Sequence, residues 1–335
     1  MRPDPPLTRT FGTHDRVAAW RWQDFVVILM WAVGAVLLVG VALTLRWGGS
    51  EYVPWPLSAD TRAEARSGES GRLSVRTATL RYVRGVAIAM VGGFWAGVLV
   101  TGPGVRLIMR LLAVTAGDDA QGRLTEADEV VGNIDLGGTI ALVFFGGVLT
   151  GLLSGAIYVI VRPWLPSGRV GGAVFGALHL VVAATVIDPL RPDNPDFDLV
   201  GPGWLAVATF SLACILHGMA VIAFANRYSH SLRPATRVSV GAVVPLVLPA
   251  LVVMLFFFSL VPVVLGLALT LVVSRFDRVT RMARSRGALI AGRVAIGVVA
   301  VALLPGTIDD LRAVTVRDET AAVPRPDVVN DALPS

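Results

Sequence analysis

The sequence predicts an all-α protein, a polytopic transmembrane helical bundle of about eight spans, on three observations. Hydrophobic residues make up 54% of the 335 positions and charged ones 16%, with a mean hydropathy of +0.69; soluble domains average about 25% charged. Apolar runs of roughly 18 to 22 residues recur along the chain, and roughly 20 helical residues cross the hydrocarbon of a bilayer. The loops between those runs alternate in the sign of their charge.

A polar tail, 1–23, precedes the membrane domain, 24–305. The first span, Asp24 to Leu45, is flanked by Trp20, Trp22 and Trp47, as interfacial aromatics would be. No cleavable leader is expected, because this run suits a retained span better than a short signal core. The loop 46–84 follows, with a short helix expected at 60–67. Span two runs from Arg84 to Val100. Thr101 and Gly102 then cap a new helix beginning at Pro103, since proline is harmless at a helix start. Spans three, four and five are Gly138–Val161, Val170–Ile187 and Gly203–Ala225. Between Val238 and Ser274 there are 37 residues without a charge, about 55 Å as one helix. That length requires two spans, with a turn near Phe258 to Pro262. The last span is Ala288–Leu304, and the Pro-, Asp- and Arg-rich stretch 306–335 reads as a disordered tail.

Loops 46–84 (seven Arg, four acids), 162–169 (two Arg), 227–237 (three Arg) and 275–293 (six Arg, one acid) are basic. Loops 115–136 (one Arg, six acids), 188–200 (one Arg, four acids) and the C-terminal tail (three Arg, six acids) are acidic. The positive-inside rule makes the first set cytoplasmic in a plasma (inner) membrane, with the acidic loops and the C-terminus extracytoplasmic. Eight spans then put the N-terminus outside, although it carries four arginines. The alternative is seven spans plus a re-entrant hairpin at 84–116, broken at Gly102-Pro103-Gly104, with the N-terminus inside.

The polar stretch 101–137 reads as an extracytoplasmic amphipathic and acidic cap. Arg106 and Arg110 share one face of the helix after Pro103, at i, i+4. Six acids and Arg123 follow. Thr125-x-x-Asp128 resembles a capping box and predicts a short helix at 126–131. The loop 188–198 adds Asp188, Asp193, Asp196 and Asp198. These carboxylates can form a rigid solvated turn, bind a cation, or pair with Arg106 and Arg110 and dock the cap onto the bundle. The arginines could instead take a lipid phosphate or an anionic solute at a helix start.

Gly147, Gly151 and Gly155 form a glycine-zipper stripe on span three beside Thr150 and Ser154. Gly172 and Gly176 repeat the spacing on span four. Small residues four apart let helix backbones approach closely in lipid, either inside the bundle or along a seam with a second copy. His179 and His217 are intramembrane ionisable groups, and such groups mark functional sites. They read as hydrogen-bonded core residues or as a proton relay. Counted from the outer edge they lie about 9 Å apart in depth at 1.5 Å per residue, which argues against joint haem ligation. Cys214 and His217 alone fall short of the four ligands of a structural zinc.

Other classes fall away. All 29 basic residues are arginine, split among loops with no contiguous basic face, so nucleic acid is not a partner. The lone Cys214 rules out an internal disulfide. No catalytic triad order, His-Glu-x-x-His, phosphate loop or dinucleotide glycine pattern is present, and no cofactor is called for.

The segments MRLLAVTAGDDAQGRLTEADEVVG and DPLRPDNPDFDLVGPGW resemble uncharacterised multi-pass membrane proteins of actinobacteria. That resemblance, over 84–226, implies an actinobacterial inner membrane protein and carries no activity. The expectation is a non-enzymatic small-solute or ion permease in contact with membrane lipids, with a water-accessible cavity at His179, His217 or Arg106. The alternatives are a scaffold subunit of a cell-envelope complex, as a homo-oligomer or with a membrane partner, and an enzyme acting on lipid headgroups through Asp188 or Glu126.

Overall fold

A computed structural model describes residues 13–53, 75–231, 260–275, 282 and 285–321. The fold is all-helical, with no strand among the described residues. Its helices are α1 (Thr13–Trp47), α2 (Val75–Ala96), α3 (Gly102–Thr115), α4 (Leu136–Leu142), α5 (Thr150–Val161), α6 (Gly168–His179), α7 (Gly203–Ser231), α8 (Leu260–Arg275) and α9 (Arg286–Ala321). Among the described residues, five helical segments are long and apolar enough to cross a membrane: Asp24–Trp47, Arg81–Thr115, Leu136–Trp164, Gly203–Ser231 and Arg286–Val316. Gly168–Ala184 is a shorter apolar helix. The expected helix at 60–67 and the sixth predicted span, from Val238 to the turn near Phe258, lie outside the described residues. Leu260 to Pro262, where a turn was expected, already belong to α8.

The Arg81–Thr115 segment is the central post, with 61% of its apolar window buried, against 11% for α1 and none for α9. The two peripheral helices present large apolar side chains outward, among them Trp31 and Val301, as lipid-facing helices do.

Pro103 does not start a new helix. Gly97–Thr101 is a π-helical turn that joins α2 to α3 without a break. A proline ring in a regular helix collides with the carbonyl four residues back and removes its donor. Here the ladder widens instead, and Gly102 N–H donates to Gly97 O. The Leu99 carbonyl lies against Gly40 of α1, where no Cβ would fit. This continuous helix replaces both the expected break between span two and a separate cap helix at Pro103, and the re-entrant hairpin at 84–116.

A second π-helical segment, Val143–Leu149, joins α4 to α5, and a third, Leu180–Ala184, extends α6. The first two cross at glycine. A Cβ built on Gly147 would lie 2.8 Å from Gly102 Cα, one on Gly155 would meet Ala89 O, and one on Gly151 would meet Gly93 O. On α6, a Cβ on Gly172 would lie 2.7 Å from Met219 Cα of α7 and one on Gly176 2.5 Å from Ile215 Cα. The stripe is therefore occupied within the chain, where backbone-to-backbone approach leaves no room for a side chain.

One core gathers Ile88, Val100, Tyr158, Phe175, Val221 and Phe224 in the middle of the bundle. A second lies at the acidic end, where Leu112, Ala120, Val131, Leu190, Phe197, Phe210 and Val314 pack together. The cap is thus a folded layer with an apolar centre. Its stretch after Thr125 is a turn, not the expected helix. Leu124 and Val130 pair as an isolated antiparallel bridge, Asp128 takes φ 58°, and Thr125 Oγ1 accepts from Glu129 N–H. The disordered tail expected from 306 is also corrected for 306–321. α9 continues through Pro305 to Ala321, because Leu311 and the fully buried Val314 contribute to the cap core. Residues 322–335 lie outside the described residues.

Candidate functional site

Four polar side chains meet at the centre of the bundle, each from a different helical segment. Thr101 ends the first π-helical turn, Ser154 lies on the first turn and a half of α5, His179 ends α6, and His217 is in mid-α7. Two of the three π-helical stretches adjoin this cluster, the first ending on Thr101 and the third starting directly after His179. Such insertions re-aim side chains and concentrate at functional sites.

The contacts form one chain. Thr101 Oγ1 lies 2.6 Å from His217 Nδ1. His217 Nε2 lies 2.7 Å from Ser154 Oγ, and Ser154 Oγ lies 2.8 Å from His179 Nε2. His179 Nδ1 lies 2.8 Å from Phe175 O. A carbonyl only accepts, so His179 Nδ1 carries a hydrogen. With both rings neutral, every other position follows. Ser154 O–H donates to His179 Nε2, His217 Nε2–H donates to Ser154 Oγ, and Thr101 O–H donates to His217 Nδ1. The chain points one way, from Thr101 to Phe175 O. Its far end at Thr101 has a second acceptor, Ala96 O, at 3.3 Å.

His217 is 3% exposed and Ser154 1%. Phe175 stands edge-on to His179 with centroids 4.5 Å apart, which fixes that ring. The imidazole rings are 5.4 Å apart, so the expected 9 Å mismatch in depth is overturned. The count assumed that spans four and five leave the membrane at one level. In the fold Gly203, Ala206 and Phe210 are buried at the acidic end, Ala206 and Phe210 in the cap core, which raises the start of α7 relative to the end of α6. Cys214 is a free thiol whose carbonyl abuts Gly176, and it takes no part in the chain. No group of three His, Cys, Asp or Glu that could hold a metal occurs among the described residues.

The cap residues sort differently from expectation. Arg106 faces Asp135 and Glu129, inside the cap sequence, with Arg110 beside it. Arg110 Nη1 donates to Gly132 O at 3.4 Å. The loop 188–198 does dock onto the cap, but through Arg191, which bonds both oxygens of Glu126 at 2.7 Å and pairs with Asp193 at 3.0 Å. Asp196 Oδ1 accepts from Glu126 N–H at 2.7 Å, and Asn194 Oδ1 accepts from Asp196 N–H, closing the turn. Loss of solvent pushes the Asp196 carboxyl above its ordinary value; the hydrogen bond from Glu126 N–H opposes that push and the Glu126 charge adds to it. The hydrogen bond to Glu126 raises the Arg191 guanidinium. Asp188 has Arg191, Glu126 and Asp196 as its charged neighbours, and Asp198 sits exposed at the end of the turn.

Two cavities flank α5. A groove of about 600 Å³ runs between α5, α6 and α9, and His179 is its one ionisable lining residue. Its other walls are almost wholly apolar, so it does not match the water-filled route expected of a polar-solute permease. A polar cavity of about 350 Å³ lies at the arginine-rich end, bordered by Tyr52, Tyr158, Arg162, Asn226 and Arg293. Sequence reasoning had Ser154 only as a neighbour of the glycine stripe and Thr101 only as a helix cap. The available signal was the spacing Ser154, Tyr158, Arg162, a polar face at i, i+4, i+8 on an otherwise apolar helix.

No protein-family model matches this chain, and no curated protein or solved structure is similar enough to it to count as a match.

Proposed function

We propose that the protein is an ion permease whose ion is the proton, with Thr101, His217, Ser154 and His179 as the relay at the centre of the bundle. The observation that supports this is the unbroken chain of three hydrogen bonds, two buried and the one to His179 partly buried, between four titratable or hydroxylic groups. Histidine is the side chain whose ordinary pKa permits proton exchange near neutrality, and a shared hydroxyl lets a proton pass between two rings that do not touch.

A proton arriving at Thr101 Oγ1 displaces the Thr101 hydrogen to His217 Nδ1. The His217 Nε2 hydrogen moves to Ser154, and the Ser154 hydrogen moves to His179 Nε2. One proton has entered, and His179 holds it as an imidazolium with both nitrogens protonated. Water reaching the half-buried His179 ring accepts the Nδ1 proton as hydronium, which leaves the chain neutral and reversed, ending on Ala96 O. Rotation of the hydroxyls and rings restores the first polarity.

The test is proton uptake into liposomes containing the purified protein and an internal pH dye, driven by an imposed potassium diffusion potential. The expected result is uptake above protein-free liposomes that falls at least about tenfold in His217→Gln, a loss equivalent to about 1.4 kcal/mol of barrier. Uptake equal to that of protein-free liposomes, or unchanged by His217→Gln in a monodisperse sample, contradicts the proposal.

A further inference from the structure

The second cavity and the groove beside it lie on two sides of the end of α5, and their chemistry is complementary. The cavity is edged by Arg162 and Arg293, with Glu51 as its one lining carboxylate, exposed to solvent. The Arg162 guanidinium stacks over the Tyr52 ring at 3.6 Å, and its Nη1 is buried without a partner. Asn226 donates through Nδ2 to Ser50 O at 2.7 Å, while its Oδ1 is likewise buried and unpartnered. Arg293 donates through Nε to Trp164 O at 3.3 Å. An orphaned guanidinium N–H costs desolvation that an anion would recover, and the Asn226 oxygen calls for a donor such as a headgroup hydroxyl.

Across Trp164 the surroundings change from polar to apolar within one residue. Trp164 and Gly292 line the groove, while Arg162 and Arg293 line the cavity. The groove runs from there toward His179 and Val299, away from the arginine-rich end. Inside a bilayer, apolar space of this volume holds hydrocarbon, because water entering it would find almost no polar partner.

We propose that Arg162 and Arg293 hold the phosphate of an anionic phospholipid whose acyl chain lies in the groove between α5, α6 and α9. The headgroup residues are distinct from the proton relay, while the far end of the groove reaches His179. Charge complementarity selects the headgroup, and the continuous apolar wall accounts for the chain.

The experiment uses delipidated full-length protein in a neutral detergent. Lipid retention by native mass spectrometry and unfolding temperature are read with added dioleoyl phosphatidylglycerol, dioleoyl phosphatidylcholine or inorganic phosphate. One phosphatidylglycerol per chain should be retained and should raise the unfolding temperature, with phosphatidylcholine weaker by at least about tenfold, because its quaternary ammonium is repelled by the two guanidinium groups and its headgroup brings no hydroxyl to Asn226 Oδ1. Arg293→Gln and Arg162→Gln should each reduce retention. Ala295→Phe, which fills the groove from an exposed position, should reduce it without touching the headgroup. Arg293 is exposed and its variant is expected to fold even if Arg162→Gln does not. Equal retention of both lipids, or no effect of Arg293→Gln, overturns the headgroup site. Equal protection by inorganic phosphate with no effect of Ala295→Phe makes the occupant a free anion, and that also overturns the proposal.

Discussion

His179 and His217, on neighbouring helices, share a single hydroxyl. Both Nε2 atoms lie within 2.8 Å of Ser154 Oγ, and the rings stand 5.4 Å apart at 80°. One oxygen with one hydrogen cannot donate to both rings, so the two neutral histidines hold opposite tautomers. That asymmetry gives the chain its direction.

The crossing at Gly147 should not tolerate a methyl group. A Cβ there meets Gly102 Cα at 2.8 Å, and overpacking of this kind costs about 1–3 kcal/mol. Gly34 on α1 has nothing within 4 Å of its Cβ position, so Gly34→Ala gains up to about 1 kcal/mol of helix propensity. Thermal unfolding in detergent should show Gly147→Ala below the parent and Gly34→Ala at or above it.

The cap is held by its apolar core more than by its ion pairs. Arg191 and Glu126 are 30% and 47% exposed, and pairs at a wet surface contribute about 0–1 kcal/mol. Phe197 is 3% exposed in the cap core, and truncating such a ring costs about 3–5 kcal/mol. Limited proteolysis after Arg123 should be greatly accelerated by Phe197→Ala and little changed by Arg191→Ala. The reverse order would make the cap an electrostatic assembly.

Asp196 sets a pH dependence of defined sign. Its carboxyl is held above the ordinary 3.8, so the folded state binds that proton more tightly than the unfolded one. Stability from this group is complete below 3.8 and is lost as pH rises through the folded value. Asp196→Asn keeps the oxygen that accepts from Glu126 N–H and removes the titration. Melts of the variant should be flatter than those of the parent on raising the pH from about 4 to 7, and parallel profiles would contradict this origin.

Much of the bundle was legible because apolar length is a physical requirement of a bilayer: the helices at 24–47, 136–164, 203–231 and from 286 follow directly from it. The continuous helix through Pro103 was not, because a π-helical turn leaves the same residues looking like a break. The continuation of α9 was hidden by Asp309, Asp310 and Arg312, which surround the two residues, Leu311 and Val314, that the cap buries. Both histidines stood out as intramembrane ionisable groups. Their partners did not, since a serine beside a glycine stripe and a threonine before Gly-Pro-Gly each have an ordinary structural explanation. Only the fold brings residues 101, 154, 179 and 217 to one point.

The most direct test is ¹⁵N NMR of histidine-labelled protein in lipid bilayers, parent against Ser154→Ala. The parent should show His179 protonated at Nδ1 and His217 at Nε2, and removing the hydroxyl should shift the Nε2 resonances of both rings together. The same tautomer on both rings, or a Ser154→Ala spectrum in which only one ring or neither responds, would contradict the chain on which the account depends.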